Sequence, residues 1–591
     1  MNDDSKTTPF HWLPILAVLR NYPRAWLRHD LVAGLSACVV MIPSVLAYAE
    51  LVHLPPVTGL YAALAACVGY ALFASSRQVI AGPDAAIGLL AGSVILPLAG
   101  GDPARMAVLA AELALLSGIV LLFAARLRLG TVADLLSRPV LVGYLNGASL
   151  LLLTTQLGKL IRVRTEGDAF VPQLVSLLNQ LHLTHVPTLL LGLGLIAMLL
   201  ALARWWPRVP GALAACSVAV VLTVVLDLSQ YGIALVGSVP RGMPQPDLFA
   251  VSLADISALA PAALALAFLT FSDGILLAQT FAEKHKDDVN PNQELVALGA
   301  ANILASLWQG FAVSASQTRT AIADASGARS QVAQLVAAGG LLLFLWFLTG
   351  LIAQLPIVAL GAILVVTAAG MLEVAPLHRM LRLDRVEFGI AMGVSAASLV
   401  AGVVPGILLG MLVSMVAVLV EISRPGGAVL RRLPGDGKFH DCKNDDEGER
   451  IPGLLVYRPY APLIFANARH VLAQIKALSD EAGTDLKWLV IDAQAITDMD
   501  ITAGERFAQL QSELLARGVK VKLADCPRPL REQLDKLHRL GLLQPQEFYV
   551  SVGKAAQDFL QSTSMTSMGG EVDSEPAAQG IIAPHGTHHT T

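Results

Sequence analysis

The chain has 591 residues, 55% of them hydrophobic and 15% charged, with a formal net charge of −4. A soluble chain keeps about 25% charged residues to cover its surface, so a mean hydropathy of +0.62 excludes an ordinary water-soluble globule and makes lipid the solvent for most of the length. Spread-out, near-neutral charge excludes nucleic acid as a partner, and no nucleotide loop or catalytic triad pattern marks an enzyme or a cofactor site.

The first segment, residues 1–30, is polar and carries Arg20, Arg24 and Arg28. It lacks the short apolar run and small-residue cleavage site of a signal peptide. A helix crosses the hydrocarbon with about 20 apolar residues. The transmembrane region, 31–424, offers such runs near 31–52, 56–74, 105–125, 138–158, 186–205, 209–227, 258–282, 292–309, 329–352, 355–373, 385–403 and 404–423. Two further apolar segments are too short to span. One runs from Asp84 to Pro97 behind Gly82-Pro83, the other from Ser316 to Ala325 behind Ser314 and Ala315. The expectation is an α-helical polytopic membrane protein of about fourteen segments, two of them broken.

Lys and Arg set the orientation. With the N-terminus inside, the inner loops collect roughly sixteen of them, including Lys6, Arg77, Arg138, Arg208 and Lys284, and the outer loops about five: Arg105, Lys159, Arg162, Arg164 and Arg241. Both termini are therefore expected in the cytoplasm, with the chain multi-pass in the cell inner membrane. Residues 425–452 read as a polar linker. Residues 453–561 read as a soluble α/β domain, with strands at GLLVY, KWLVIDA and VKVKLAD and helices at 467–481, 503–516, 527–540 and 552–562. The tail, 562–591, reads as disordered. Its His585, His588 and His589 offer adventitious metal binding by composition only, and no metal site is expected. The five cysteines, Cys38, Cys67, Cys216, Cys442 and Cys526, show no metal or disulfide spacing and are expected to be free thiols.

The short segments carry the chemistry. A helix that starts inside a membrane leaves its first N–H groups unpaired and its positive dipole end exposed. Those groups must face a cavity or a ligand. Two such ends meeting near the midplane make an anion site, a device of transporters built from inverted repeats. Arg319, one turn into the second short helix, is a buried cation that either donates to the anion or pairs with a nearby carboxylate. Asp273, mid-span in LTFSDGILLAQ, either binds a cation, carries a proton or packs against hydroxyls. Asp84 stands at the N-cap of the first short helix, where a carboxylate is awkward for an anion unless Arg319 or a proton neutralises it. Glu112, Glu373 and Glu421 read as interfacial.

MIPSVLAYAELVHLPPVTGLYAAL, AGPDAAIG, LSRPVLVGYLNG and the long stretch from FSDGILLAQ to SQTRTAIADASGA resemble successive motifs of the sulfate permease (SulP) family of anion transporters. The resemblance covers nearly the whole chain, and IDAQAITDMDITAGE resembles the signature of a STAS domain. It implies a fold of seven plus seven inverted segments with a cytoplasmic STAS appendage, homodimers, and an elevator-type motion. The anion, which among relatives is sulfate, bicarbonate or a dicarboxylate, would lie between the third and tenth segments. By position the pocket would hold Ser44, Asp84, Ala85, Ser316, Thr318 and Arg319, and Asp273 would couple transport to H+ or Na+. Asp500 and Thr502 match a regulatory STAS position that is phosphorylated in some relatives, which implies a possible cytoplasmic regulator. Ser44 stands where Gln is frequent, Asp84 where a neutral residue is frequent, and Ala312 where proline is frequent. The leading expectation is a secondary active anion symporter, and the alternative a passive exchanger or channel regulated by the STAS domain.

Overall fold

The computed structural model describes residues 13–130, 138–163, 170–207, 209–237, 240, 242, 252–433, 438–441, 448–541, 543–544 and 547–568. Lys6, Arg164, Arg208, Arg241, Cys442, the tail from 569 and its three histidines lie outside these residues. The chain divides into two compact units, Met1–Met415 and Val416–Thr591.

The first unit contains two successive sets of seven segments. The first set is α1 (Arg24–Leu51), α2 (Val57–Phe73), β1 (Ala81–Gly82) with α3 (Ala85–Ala99), α4 (Pro103–Arg126), α5 (Arg138–Ile161), α6 (Val186–Trp205) and α7 (Gly211–Leu226). The second is α8 (Leu253–His285), α9 (Pro291–Leu307), β2 (Ser314–Ala315) with α10 (Gln317–Ala325), α11 (Val332–Phe347), α12 (Ile357–Met371), α13 (Arg385–Ala401) and α14 (Val403–Ser423), the last running into the second unit. In each set the third segment is half strand and half helix. Seven helices among the described residues are long and apolar enough to cross a membrane. Leu190, Val224, Val225 and Val400 leave apolar faces outward, as lipid requires.

Small residues set the packing. α9 lies against α2 and α4, where a Cβ on Gly69 would stand 2.8 Å from the Ala301 backbone. α11 lies along α1, with Gly34 against the Ala333 carbonyl. These contacts gather α1–α4 with α8–α11 into one bundle; α5 packs on α12 and α13, and α6 on α7 and α12, to form a second. Lys159 of α5 bridges the bundles by donating to Glu50 of α1 at 2.8 Å.

Three buried carboxylates were not legible as such. Glu294 of α9 accepts from the Tyr70 hydroxyl at 2.5 Å, the Ser75 amide and hydroxyl at 2.9 and 2.6 Å, and the Ser76 amide at 2.8 Å, fixing the entry to β1. Asp30 does the same for the Arg329 and Ser330 amides, at 2.7 and 3.1 Å, ahead of α11. Glu112 is fully buried against other helices. It lies two turns into α4 and faces Asp255 and Arg105, since position along a helix gives depth but not neighbours.

The second unit is a six-stranded sheet in the order β4 (Phe439–Asp441), β3 (Gly427–Arg432), β5 (Leu454–Pro459), β6 (Trp488–Asp492), β7 (Lys520–Ala524), β8 (Phe548–Tyr549). β5 to β8 run parallel and β3 antiparallel to β5. Strand alternation sends Leu455, Tyr457, Leu489 and Ile491 to a core shared with α15 (Ala468–Glu481), α16 (Ile501–Ala516) and α17 (Arg528–Arg539). Val456 and Val490 face the other side, toward α18 (Val552–Met568). Two boundaries differ from the sequence reading. Residues 425–452 are not only linker, because β3 and β4 belong to the sheet and Leu430 joins the core of Val456 and Val490. The tail starts as helix through Met568, where Ser562 and Thr563 hydroxyls donate back to the Phe559 carbonyl and so tolerate helical backbone.

Candidate anion-binding site

β1 and β2 pair antiparallel, Ala81 with Ala315 and Gly82 with Ser314. Because α3 and α10 follow these strands directly, the pairing brings both half-helix N-termini to one place. The strands are clamped from several elements. Thr320 of α10 accepts the Ile80 amide at 2.9 Å, and the Ser316 amide donates to the Ile80 carbonyl at 3.0 Å. Asn302 of α9 holds both backbone groups of Val313, and Gln331 at the start of α11 donates to the Val79 carbonyl at 3.0 Å. The side-chain bonds among these satisfy backbone groups that the short β1–β2 ladder leaves unpaired.

The residues expected from the sequence to line the site fall around this crossing. Asp84 is the N-cap of α3 and accepts the Ala86 amide at 3.0 Å. Ala85 opens that helix and is buried. Ser316 holds the N-cap position of α10 but makes no side-chain cap. The amides of Gln317, Thr318 and Arg319 have no partner among the described residues, and the Thr318 side chain is exposed. Arg319 is 2% exposed. Its Nη2 donates to the Pro83 carbonyl at 2.7 Å, which spans the two halves, while its Nε has no partner. Gly82 makes room for it, since a Cβ there would stand 3.1 Å from Nη2. Arg319 thus faces Asp84 electrostatically without a contact ion pair. Ser44 follows Pro43 in α1 and donates to the Val40 carbonyl at 3.1 Å.

Asp273, in the middle of α8, is half-buried and interacts with Asp84, so the structure brings these two carboxylates into one recess. Sequence reasoning missed two tyrosines. Tyr48 of α1 lies beside Ser44, Asp84 and Arg319. Tyr144 of α5 donates to the Ala86 carbonyl at 3.0 Å and faces both Asp273 and Asp84. Apolar periodicity hides both, since a tyrosine counts as core on a membrane helix; the only signal was that each falls inside a quoted motif. Asp500 and Thr502 lie apart from this recess in the second unit. Asp500 caps α16 through the Ala503 amide at 2.8 Å and also accepts the Phe465 amide at 2.5 Å, leaving Thr502 exposed in the first turn.

Residues 27–394 match the sulfate permease family. The chain belongs to that family. Residues 447–555 match the STAS domain, so this sulfate permease family member carries the C-terminal appendage that its sequence resembled. It is 39% identical over 548 residues to a probable sulfate transporter of Mycobacterium tuberculosis, covering 93% of this chain and 98% of that one. It is 29% identical over 525 residues to prestin of Danio rerio, covering 83% and 70%. The solved structure of SLC26A9 superposes with a TM-score of 0.85 at 23% identity, covering 95% and 94% of the two chains. The transmembrane domain of a cyanobacterial bicarbonate transporter, BicA, superposes with a TM-score of 0.58 at 20% identity, covering 66% and 98%. The two structural likenesses bear on the fold. Family membership makes the chain a multi-pass membrane anion transporter.

Proposed function

We propose that this transporter performs secondary active uptake of a small anion, coupled to H+ or Na+ and driven by an elevator-type movement of one bundle past the other. The observation that carries the reading is the open N-terminus of α10, with three unpaired amides and the unpartnered Nε of Arg319 beside it. Donors left unpaired at membrane depth are stabilised by an anion that accepts from them. Ser44 and Thr318 add hydroxyls, and the buried Ala85 opens the α3 end of the site. Asp273 supports coupling. A half-buried carboxylate next to Asp84 carries a repulsion that a bound proton or Na+ relieves, and that relief ties ion binding to anion binding. No further cofactor enters.

In an elevator motion, the bridge between Lys159 and Glu50 would have to break as the bundles slide. Orientation follows the loop charges, with both termini in the cytoplasm and the protein in the cell inner membrane, as a homodimer. Thr502 is the position where a cytoplasmic regulator acts on the STAS domain, because a phosphate there would sit at the α16 N-terminus. Sulfate is the first anion to test, given the names of relatives, followed by bicarbonate and dicarboxylates. The test is uptake of labelled anions into proteoliposomes with and without imposed H+ or Na+ gradients. Accumulation above the external concentration only when a gradient is present supports symport. Exchange that ignores both gradients supports a passive exchanger instead.

A further inference from the structure

The two half-helices enter the site alike and finish differently. At α3 the Asp84 carboxylate accepts the Ala86 amide at 3.0 Å and also interacts with the Ala85 and Ile87 amides. At α10 the matching residue is Ser316, whose hydroxyl caps nothing, and the amides of Gln317, Thr318 and Arg319 stay free among the described residues. One helix end is therefore filled by an anion that belongs to the chain, and the other is open. The free Nε of Arg319, on a residue 2% exposed, lies with the open end.

We propose that Asp84 is a tethered anion, which occupies one of two equivalent anion subsites, confines the substrate to the α10 end and sets the charge that the site accepts. The proposal rests on the transport reading for its substrate class and goes beyond it in naming the selectivity determinant. The groups that face Asp84 are Arg319 from α10, Tyr48 from α1, Tyr144 from α5 and Asp273 from α8. With one guanidinium facing two carboxylates, the ring is negative before any substrate arrives whenever both carboxylates are ionised. A monoanion meets that charge once and a dianion twice, so an ionised Asp84 discriminates against dianions. A proton or cation on Asp84 removes the discrimination, and a dianion then enters only together with it. Covalent tethering keeps the carboxylate at high local concentration, so it holds the α3 amides against a free anion.

The test uses the purified full-length chain and two variants that keep an N-cap acceptor, Asp84→Asn and Asp84→Ser, the latter reproducing Ser316. Sulfate and chloride affinities are measured by calorimetry in detergent, with melting temperature as the check on folding. The expected result is sulfate binding at least about tenfold tighter in both variants, with a smaller change for chloride. Wild type that binds no measurable sulfate while a variant does gives the same support. Sulfate affinity that is unchanged or weaker, an equal gain for both anions, or no sulfate binding by any of the three proteins overturns the proposal. Flux is measured separately in proteoliposomes. A wild type that binds anions without moving them refutes the transport reading and leaves the comparison of Asp84 variants decisive on its own.

Discussion

Arg319 donates to the carbonyl of Pro83 at 2.7 Å, so the charge of the second half of the transporter is anchored on the backbone turn of the first. The bond does two things. It satisfies a carbonyl beside the α3 N-terminus, and it fixes the guanidinium beside the β1–β2 crossing while leaving Nε without a partner. Arg319→Ala should reduce anion affinity about 100-fold or more, since a charge-assisted donor in a buried site contributes about 3 kcal/mol. Lys should restore little, because one ammonium cannot both hold Pro83 and reach the anion. Gly82→Ala should give a smaller loss by displacing Nη2. Calorimetric titration with sulfate reads all three, and unchanged affinity in Arg319→Ala removes this residue from the substrate shell.

Asp273→Asn mimics the neutral carboxylate beside Asp84. It should fold, exchange anions at near wild-type rates without a gradient, and lose accumulation against one. Side-by-side uptake in vesicles carrying a pH or Na+ gradient separates these behaviours. Accumulation equal to wild type makes Asp273 a packing residue.

Glu294 holds four donors ahead of β1, those of Tyr70 and Ser76 on buried residues. Glu294→Gln turns one acceptor into a donor facing Tyr70 and Ser75. The expected loss is about 2–4 kcal/mol of stability, read as a lower melting temperature of the purified protein. Weaker sulfate binding should accompany it, because β1 positions α3. A melting temperature within error of wild type would mean that the β1 entry is held elsewhere.

The STAS boundary can be tested by fragments. A chain starting at residue 425 should be more stable than one starting at 453 by about 2 kcal/mol or more, the contribution of burying Leu430 and covering the β5 edge. Urea melts of the two fragments give the difference directly. Equal midpoints would make β3 a passive cover.

Much of the membrane fold was legible because its signal is one-dimensional. A helix at Ala85–Ala99 is too short to span and starts at an N-cap residue, so a break could be read from length and one aspartate. What joins the breaks was not legible. A ladder of two residues has no periodicity, and the pairing of Gly82 with Ser314 depends on Asn302, Thr320 and Gln331, each of which reads as an ordinary polar residue on a helix. β3 escaped for a related reason. Arg431 and Arg432 disguise a six-residue strand as linker, although Arg431 is buried in the sheet. Tyr48, Tyr144 and Glu112 show that sequence gives a side chain's depth and chemistry, whereas its partners come from other helices.

The β1–β2 ladder also imposes an order on biogenesis. Ile80 must wait for Thr320, which lies 240 residues later in the chain. At ribosomal speeds of about 5–20 residues per second, that interval is on the order of tens of seconds. Throughout it, the first half sits in the bilayer with strand edges unmatched, a state that lipid penalises for every bare amide and carbonyl. A nascent chain stalled before Ser314 therefore leaves the first strand unmatched, and the transporter gains its binding chemistry only when the second half arrives.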